Sequence, residues 1–235
     1  MNDVQAVILA AGMGTRLGRP RPKPLTRLDD GRSIMQQQVD NLRDVFGTRV
    51  RIAAVVGFKA TLVMEEQPDL LYVYNAYYDG TNTSKSLLRA LCTSGHGGVL
   101  WLNGDVVFDP RVLKDLRPSM EADQSTVCVN TSAVGDEEVK YTVDEHGFVR
   151  ELSKTVVGGL GEAVGINYVA ARDKAVLIEE LRRCDDGDYF ERGLETAIQD
   201  RGMHVQPLDI SRRFAVEVDF EEDLVRANRR EAALA

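Results

Sequence analysis

Cysteine, histidine and tryptophan are scarce in this chain of 235 residues, and each scarcity closes off a class of function. Cys92, Cys128 and Cys184 lie far apart and match no zinc spacing. They read as small reduced hydrophobes, and no disulfide framework is implied. His96, His146 and His204 stand in glycine-flanked or strand-edge contexts with no partner pattern. The single tryptophan, Trp101, lies inside an apolar run and reads as core. No apolar run approaches the length of a membrane span. Met1-Asn2-Asp3 lacks the basic start of a signal peptide, so the expected location is cytoplasmic. Positive charge is also short. The net charge of −8 argues against a general nucleic-acid binder.

What remains is the composition of an ordinary globular enzyme, 43% hydrophobic and 28% charged. The length allows one large α/β domain or two small ones. With no linker, repeat or low-complexity tract, a single domain over 1–235 is expected. Its nucleotide-binding part spans about 1–108 plus a C-terminal strand, and its acceptor-binding part about 109–212. Ala6 to Ala10 is apolar on both faces, as in a buried parallel strand. Ser33 to Phe46 has an N-cap, a helical apolar period and a glycine stop. Strands follow at Val50–Val56, Leu70–Tyr74 and Gly98–Leu102, with helices at Phe58–Glu66 and Ser84–Leu91 between them. That alternation predicts a mostly parallel sheet, with ligands at the carboxyl ends of its strands. Further on, Pro110–Leu116 reads as a short helix and Ser125–Asn130 as a strand. Lys140–Val143 and Phe148–Leu152 form a hairpin. Another strand is expected at Gly165–Ala170, and helices at Asp173–Arg183 and Tyr189–Asp200. Strands at Val205–Asp209 and Phe214–Val218 precede a closing helix at Glu221–Leu234.

The first strand runs into Ala11-Gly12-Met13-Gly14-Thr15-Arg16-Leu17, and Pro22-Lys23-Pro24-Leu25 follows shortly. Gly12 and Gly14 let consecutive N–H groups turn toward an anion. Thr15 adds a hydroxyl, Arg16 a guanidinium fork and Lys23 a compact charge. Arg16, Arg19, Arg21 and Lys23 together concentrate positive charge in an acidic chain. Such a loop suits a triphosphate. It is neither a P-loop, since no lysine stands at the required spacing, nor a dinucleotide fingerprint, whose third glycine is here Leu17.

The string resembles the signature of nucleotidyltransferases that make sugar-nucleotides and CDP-alcohols, G-x-G-[ST]-R-[LF] followed by [PS]-K-[PA]-[LM]. The short spacer and short chain look most like the CTP:phosphocholine cytidylyltransferase type. The resemblance implies a Rossmann-like three-layer α/β/α nucleotidyltransferase fold with a small inserted β region. It implies that Leu9, Ala10, Ala11, Gly12, Gly14, Thr15, Arg16 and Lys23 meet nucleotide, with Arg16, Lys23 and Asp105 catalytic.

Asp105 ends an apolar strand in Asn103-Gly104-Asp105, where the family places a Mg²⁺ ligand; the plainer reading is a turn cap. Ala215-Val216-Glu217-Val218-Asp219-Phe220 resembles the family's W-x-E-I-D-T segment, with Phe214 for tryptophan and Phe220 for threonine. Asp219 would be the second metal ligand and Glu217 would orient it or face the acceptor. Asn82, Ser84 and Ser86 resemble residues that read a pyrimidine, although an ordinary helix cap there fits as well. Lys154 and Glu162 match the order of the family's K…G-E-x-x-G-I and would hold the acceptor, where each alone would be a solvated charge. Tyr168, Arg150 and Arg212 complete the expected acceptor set.

The implied reaction is Mg²⁺-dependent transfer of CMP from CTP to a small phosphorylated or phosphonate acceptor, with pyrophosphate leaving. Phosphocholine is one candidate and a small phosphonate the other. A sugar-1-phosphate or inositol-1-phosphate enzyme using another NTP, a non-catalytic nucleotide sensor, and a module that only binds CDP-alcohols are the alternatives. No nucleic acid or membrane partner is expected, and the chain would act as a monomer or homodimer.

Overall fold

The computed structural model describes residues 4–14, 18, 20–132, 135 and 138–234, and for 230–234 the backbone alone. The chain runs β1 (Gln5–Ala10), α1 (Ile34–Phe46), β2 (Arg51–Val56), α2 (Ala60–Glu66), β3 (Leu71–Tyr74), α3 (Thr83–Thr93) and β4 (Val99–Asn103). Then come β5 (Val106–Phe108), α4 (Arg111–Glu121), β6 (Thr126–Asn130), β7 (Lys140–Val143), β8 (Val149–Ser153) and β9 (Gly161–Val169). It closes with α5 (Lys174–Arg183), α6 (Phe190–Arg201), β10 (Gln206–Asp209), β11 (Ala215–Glu217) and α7 (Glu221–Leu234).

The central sheet has the order β10-β6-β9-β4-β1-β2-β3. All its neighbours pair parallel except β9, which runs antiparallel between β4 and β6. The hairpin β7–β8 hangs on the edge of β9. Because side chains alternate along a strand, β1 serves two cores. Ala6, Ile8 and Ala10 pack with Met35, Val39 and Leu42 of α1 and Leu113 and Leu116 of α4. Val7 and Leu9 pack on the other face with Leu87 and Leu91 of α3, Leu181 of α5 and Phe190 and Leu194 of α6. This is the three-layer arrangement, with helices on both faces of a mostly parallel sheet. Trp101 is fully buried in the second core, edge-on to Phe190 at 5.5 Å between ring centroids.

Three elements depart from expectation. α4 continues through Pro118 to Glu121, rather than ending at Leu116. A proline at that position costs the carbonyl of Lys114 its partner, and Lys114 is an exposed residue, so water can serve instead. β9 starts at Gly161, four residues early, because β6 and β7 both pair with its first residues, Asn130 and Lys140 each opposite Glu162. The third departure bears on the site. Val106–Phe108 forms a strand antiparallel to β11, with Val106 opposite Glu217 and Phe108 opposite Ala215. Under it lies a small core of Leu28, Ile34, Val107, Val216, Val218 and Leu224.

Candidate active site

A cavity of about 570 Å³ opens at the carboxyl ends of β1 and β4. Leu9, Ala10, Gly12, Gly14, Lys23, Asp105, Lys154, Glu162, Glu217 and Asp219 all line it. That size and position suit small ligands at the switch point of an α/β sheet.

Lys23 is the hub. It opens a single 3-10 turn, Lys23–Leu25, between Pro22 and Pro24, which hold the backbone at the start of that turn. Gly14, at φ +59°, lies over its stem, and a Cβ there would come within 2.8 Å of the Lys23 Cβ. The Lys23 side chain is 10% exposed, and its Nζ donates to Asp105 Oδ2 at 2.7 Å and to Asp219 Oδ1 at 2.5 Å. Burial alone would lower the pKa of this ammonium. The carboxylates of Asp105 and Asp219 more than offset that and raise it, so Lys23 stays charged.

The turn carrying Asp105 is clamped from below by α1. The Gln38 side-chain amide donates to the carbonyls of Asn103 and Val106, both at 2.8 Å. Gln37 and Asn41 donate to the carbonyl of Phe108 at 2.7 and 2.8 Å. These buried amides went unnoticed in the sequence, although polar residues within an apolar-periodic helix are a legible signal. Gly104 N donates to the Leu9 carbonyl at 3.0 Å, and a Cβ on Gly104 would lie 2.5 Å from that oxygen. Gly104→Ala is therefore expected to destabilise the protein by about 1–3 kcal/mol. The check is a lower denaturant midpoint at unchanged slope; an unmoved midpoint would mean that the turn has room to shift.

The pairing of β5 with β11 sets Glu217 and Asp219 beside Asp105, and Val218 N donates to the Asp105 carbonyl at 2.9 Å. Glu217 Oε1 accepts from the Asn103 side-chain amide at 3.0 Å. Burial, then the nearby charge of Asp105, pushes the Glu217 carboxyl well above its usual range. Asp223 accepts from the amides of Asp219 and Phe220 at 3.2 and 2.9 Å, so it caps α7 and leaves the Asp219 side chain to the cavity. Asp105 Oδ1 is buried with no hydrogen-bond partner. Two carboxylates, one with an orphaned oxygen, are a donor set that fits Mg²⁺, which takes one or two carboxylates and completes its shell from phosphates and water.

Other expected residues lie elsewhere. Thr15 and Arg16 fall outside the described residues. Ala11 is buried behind the cavity, its carbonyl accepting from Phe58 N at 3.0 Å. Asn82, Ser84 and Ser86, expected to meet a base, do not line the cavity. Asn82 caps α3 by accepting from Thr83 N at 2.8 Å and donates to the Gly187 carbonyl at 3.2 Å. Ser84 is buried, and Ser86 is buried where its hydroxyl accepts from Asn75. The neighbouring Thr83 faces the cavity in their place. Tyr168 is a correction too. It pairs with Leu100, about 10 Å back along β4 from Asn103. Buried there, it donates to Asp123 Oδ1 at 3.2 Å. Arg150 and Arg212 are exposed and line no part of the cavity. Arg213 is held by Asp115 at 2.7 Å.

In their place the cavity wall holds Glu138 and Glu191, which no motif singled out. Lys154 lies 5.2 Å from the centre of the Tyr189 ring, as a cation over an aromatic face. Glu162 accepts from Gly135 N at 3.1 Å.

A MobA-like NTP transferase domain model matches residues 6–205. Among curated proteins, the CMP-5′-(3-aminopropyl)phosphonate synthase of Streptomyces rubellomurinus is 38% identical over 181 residues, 73% of this chain and 25% of that one. The chain spans between 25% and 29% of the length of the curated relatives it matches. Among solved structures, the inositol-1-phosphate CTP transferase of T. maritima superposes with a TM-score of 0.76 at 18% identity, covering 95% of this chain and 92% of that one. The CTP:phosphocholine cytidylyltransferase of Streptococcus pneumoniae superposes with a TM-score of 0.77 at 18% identity, covering 97% and 99%. At such identities the structural likeness establishes the fold.

Proposed function

This chain belongs to the MobA-like NTP transferase family, and we propose that it transfers CMP from CTP to a small phosphonate, releasing pyrophosphate. The observation that carries the reading is Lys23 held between Asp105 and Asp219 at the mouth of β1 and β4. The relative that makes a CMP-phosphonate supports cytidylyl transfer and this class of acceptor.

An oxygen of the acceptor attacks the α-phosphorus of CTP. One P–O bond forms, the bond to pyrophosphate breaks, and both electrons of that bond leave with pyrophosphate. The acceptor oxygen is already an anion, so no side chain needs to take a proton. Catalysis is positioning and neutralisation of charge. Gly12 and Gly14 bring backbone close to the phosphates, and Lys23 stabilises charge on the transferring group. Lys154 holds the acceptor's anionic end. Asp105 and Asp219 would hold Mg²⁺, which when bound would supply positive charge to offset the negative charge of the phosphates.

The test is a matrix of CTP, UTP, ATP and GTP against small phosphonates, phosphocholine and sugar-1-phosphates, read as pyrophosphate released. The highest kcat/KM is expected for CTP with a small phosphonate. A clear preference for another nucleotide with a sugar-1-phosphate would overturn the reading.

A further inference from the structure

We propose that the acceptor carries a primary ammonium at the end remote from its phosphonate, and that Glu191 and Glu138 recognise it. The proposal rests on the reading of the chain as a transferase acting on a small phosphonate.

Most carboxylates in the cavity wall already have partners. Asp105 and Asp219 share Lys23, Glu217 takes the Asn103 amide, Glu162 takes Gly135 N–H, and Asp223 caps α7. Neither Glu138 nor Glu191 accepts a hydrogen bond from another described residue. The Oε2 of Glu191 is buried with no partner at all. Burial pushes the Glu191 carboxyl up to about 7, and burial and then the charge of Glu162 push Glu138 up as well. Lys154 is the cation that acts on both, yet its ammonium lies over the Tyr189 ring and forms no ion pair with either. Two carboxylates in the wall therefore favour a further positive charge, one that a ligand can bring.

That charge needs N–H donors, because ionised carboxylates only accept. A quaternary ammonium fits poorly. It has no N–H to give and is held by aromatic faces. The aromatic residues at the cavity are Tyr189, whose ring is already taken by Lys154, Phe190, buried against Trp101, and Phe220, 56% exposed.

The experiment compares 2-aminoethylphosphonate with 2-hydroxyethylphosphonate, which differ in the terminal group. Both are measured with the wild-type protein, Glu191→Gln and Glu138→Gln, by calorimetric binding and by turnover with CTP. Wild type is expected to favour the amine, and Glu191→Gln to shrink the amine-to-hydroxyl ratio by about tenfold or more, through KM. A carboxylate that merely shapes the start of α6 would move both ligands together, and that result overturns the proposal, as does wild-type binding no tighter to the amine. Should Glu191→Gln fail to fold, the ratio in wild type and in Glu138→Gln decides. Selective binding of the amine without turnover would uphold this subsite and sink the proposed reaction instead.

Discussion

Replacing Lys23 with methionine is expected to lower kcat by on the order of 10²-fold or more, as when an electrostatic stabiliser is removed. The same variant is expected to bind Mn²⁺ more tightly in the absence of nucleotide. Both results have one origin. The Lys23 ammonium lies between Asp105 and Asp219, the two carboxylates proposed to hold a divalent ion. Methionine keeps the apolar stem and removes the positive charge that would compete with a divalent ion for Asp105 and Asp219. On the proposed function, the triphosphate would offer the ammonium phosphate oxygens as further partners, and its hold on the two carboxylates would weaken as the nucleotide binds. Steady-state kinetics tests the first effect, and titration of the free protein with Mn²⁺, followed by electron paramagnetic resonance, tests the second. A pure KM effect would make Lys23 a ground-state clamp. Weaker Mn²⁺ binding in the variant would contradict the exchange.

Asp105→Asn and Asp219→Asn are each expected to cost kcat about 10²–10³-fold with little change in fold. An amide oxygen can still accept from Lys23, so the hub survives. What is lost is anionic charge at a position needed mainly in the transition state. Asp105 should be the more sensitive of the two, because its Oδ1 is buried without a partner and an Asn there would offer the proposed Mg²⁺ either an NH₂ group or a neutral oxygen. Pyrophosphate release at saturating CTP and Mg²⁺, alongside thermal melting, separates chemistry from stability. Near-normal turnover in both variants would remove these residues from the metal site.

Much of this was legible in the sequence, and the reason is local. Apolar character on both faces of Ala6–Ala10 requires a strand covered on both sides, and helices on both sides supply the cover. Ser33, the apolar period after it and Gly47 define α1 within one residue, since caps and stops act over a single turn. Lys23 and Asp105 stood out because each lies in a short string that resembles a nucleotidyltransferase motif.

Partners chosen across the chain were decided by the tertiary structure. β11 pairs with β5, and that contact, which sets Glu217 opposite Val106, makes Asp219 a neighbour of Asp105; the Asn103 side chain of β4 adds a hydrogen bond to Glu217, 114 residues on. Glu138 and Glu191 look like ordinary surface carboxylates in sequence and become cavity groups once β7, β9 and α6 are assembled. Asn82, Ser84 and Ser86 carry hydrogen-bonding groups that suit a base equally well, yet Asn82 caps a helix, Ser86 takes the buried Asn75 amide, and the Ser84 hydroxyl is buried without a partner. Periodicity along the chain sets which face of an element is buried. The charge state and role of a polar side chain depend on the groups packed around it, and those come from distant segments brought together by the sheet.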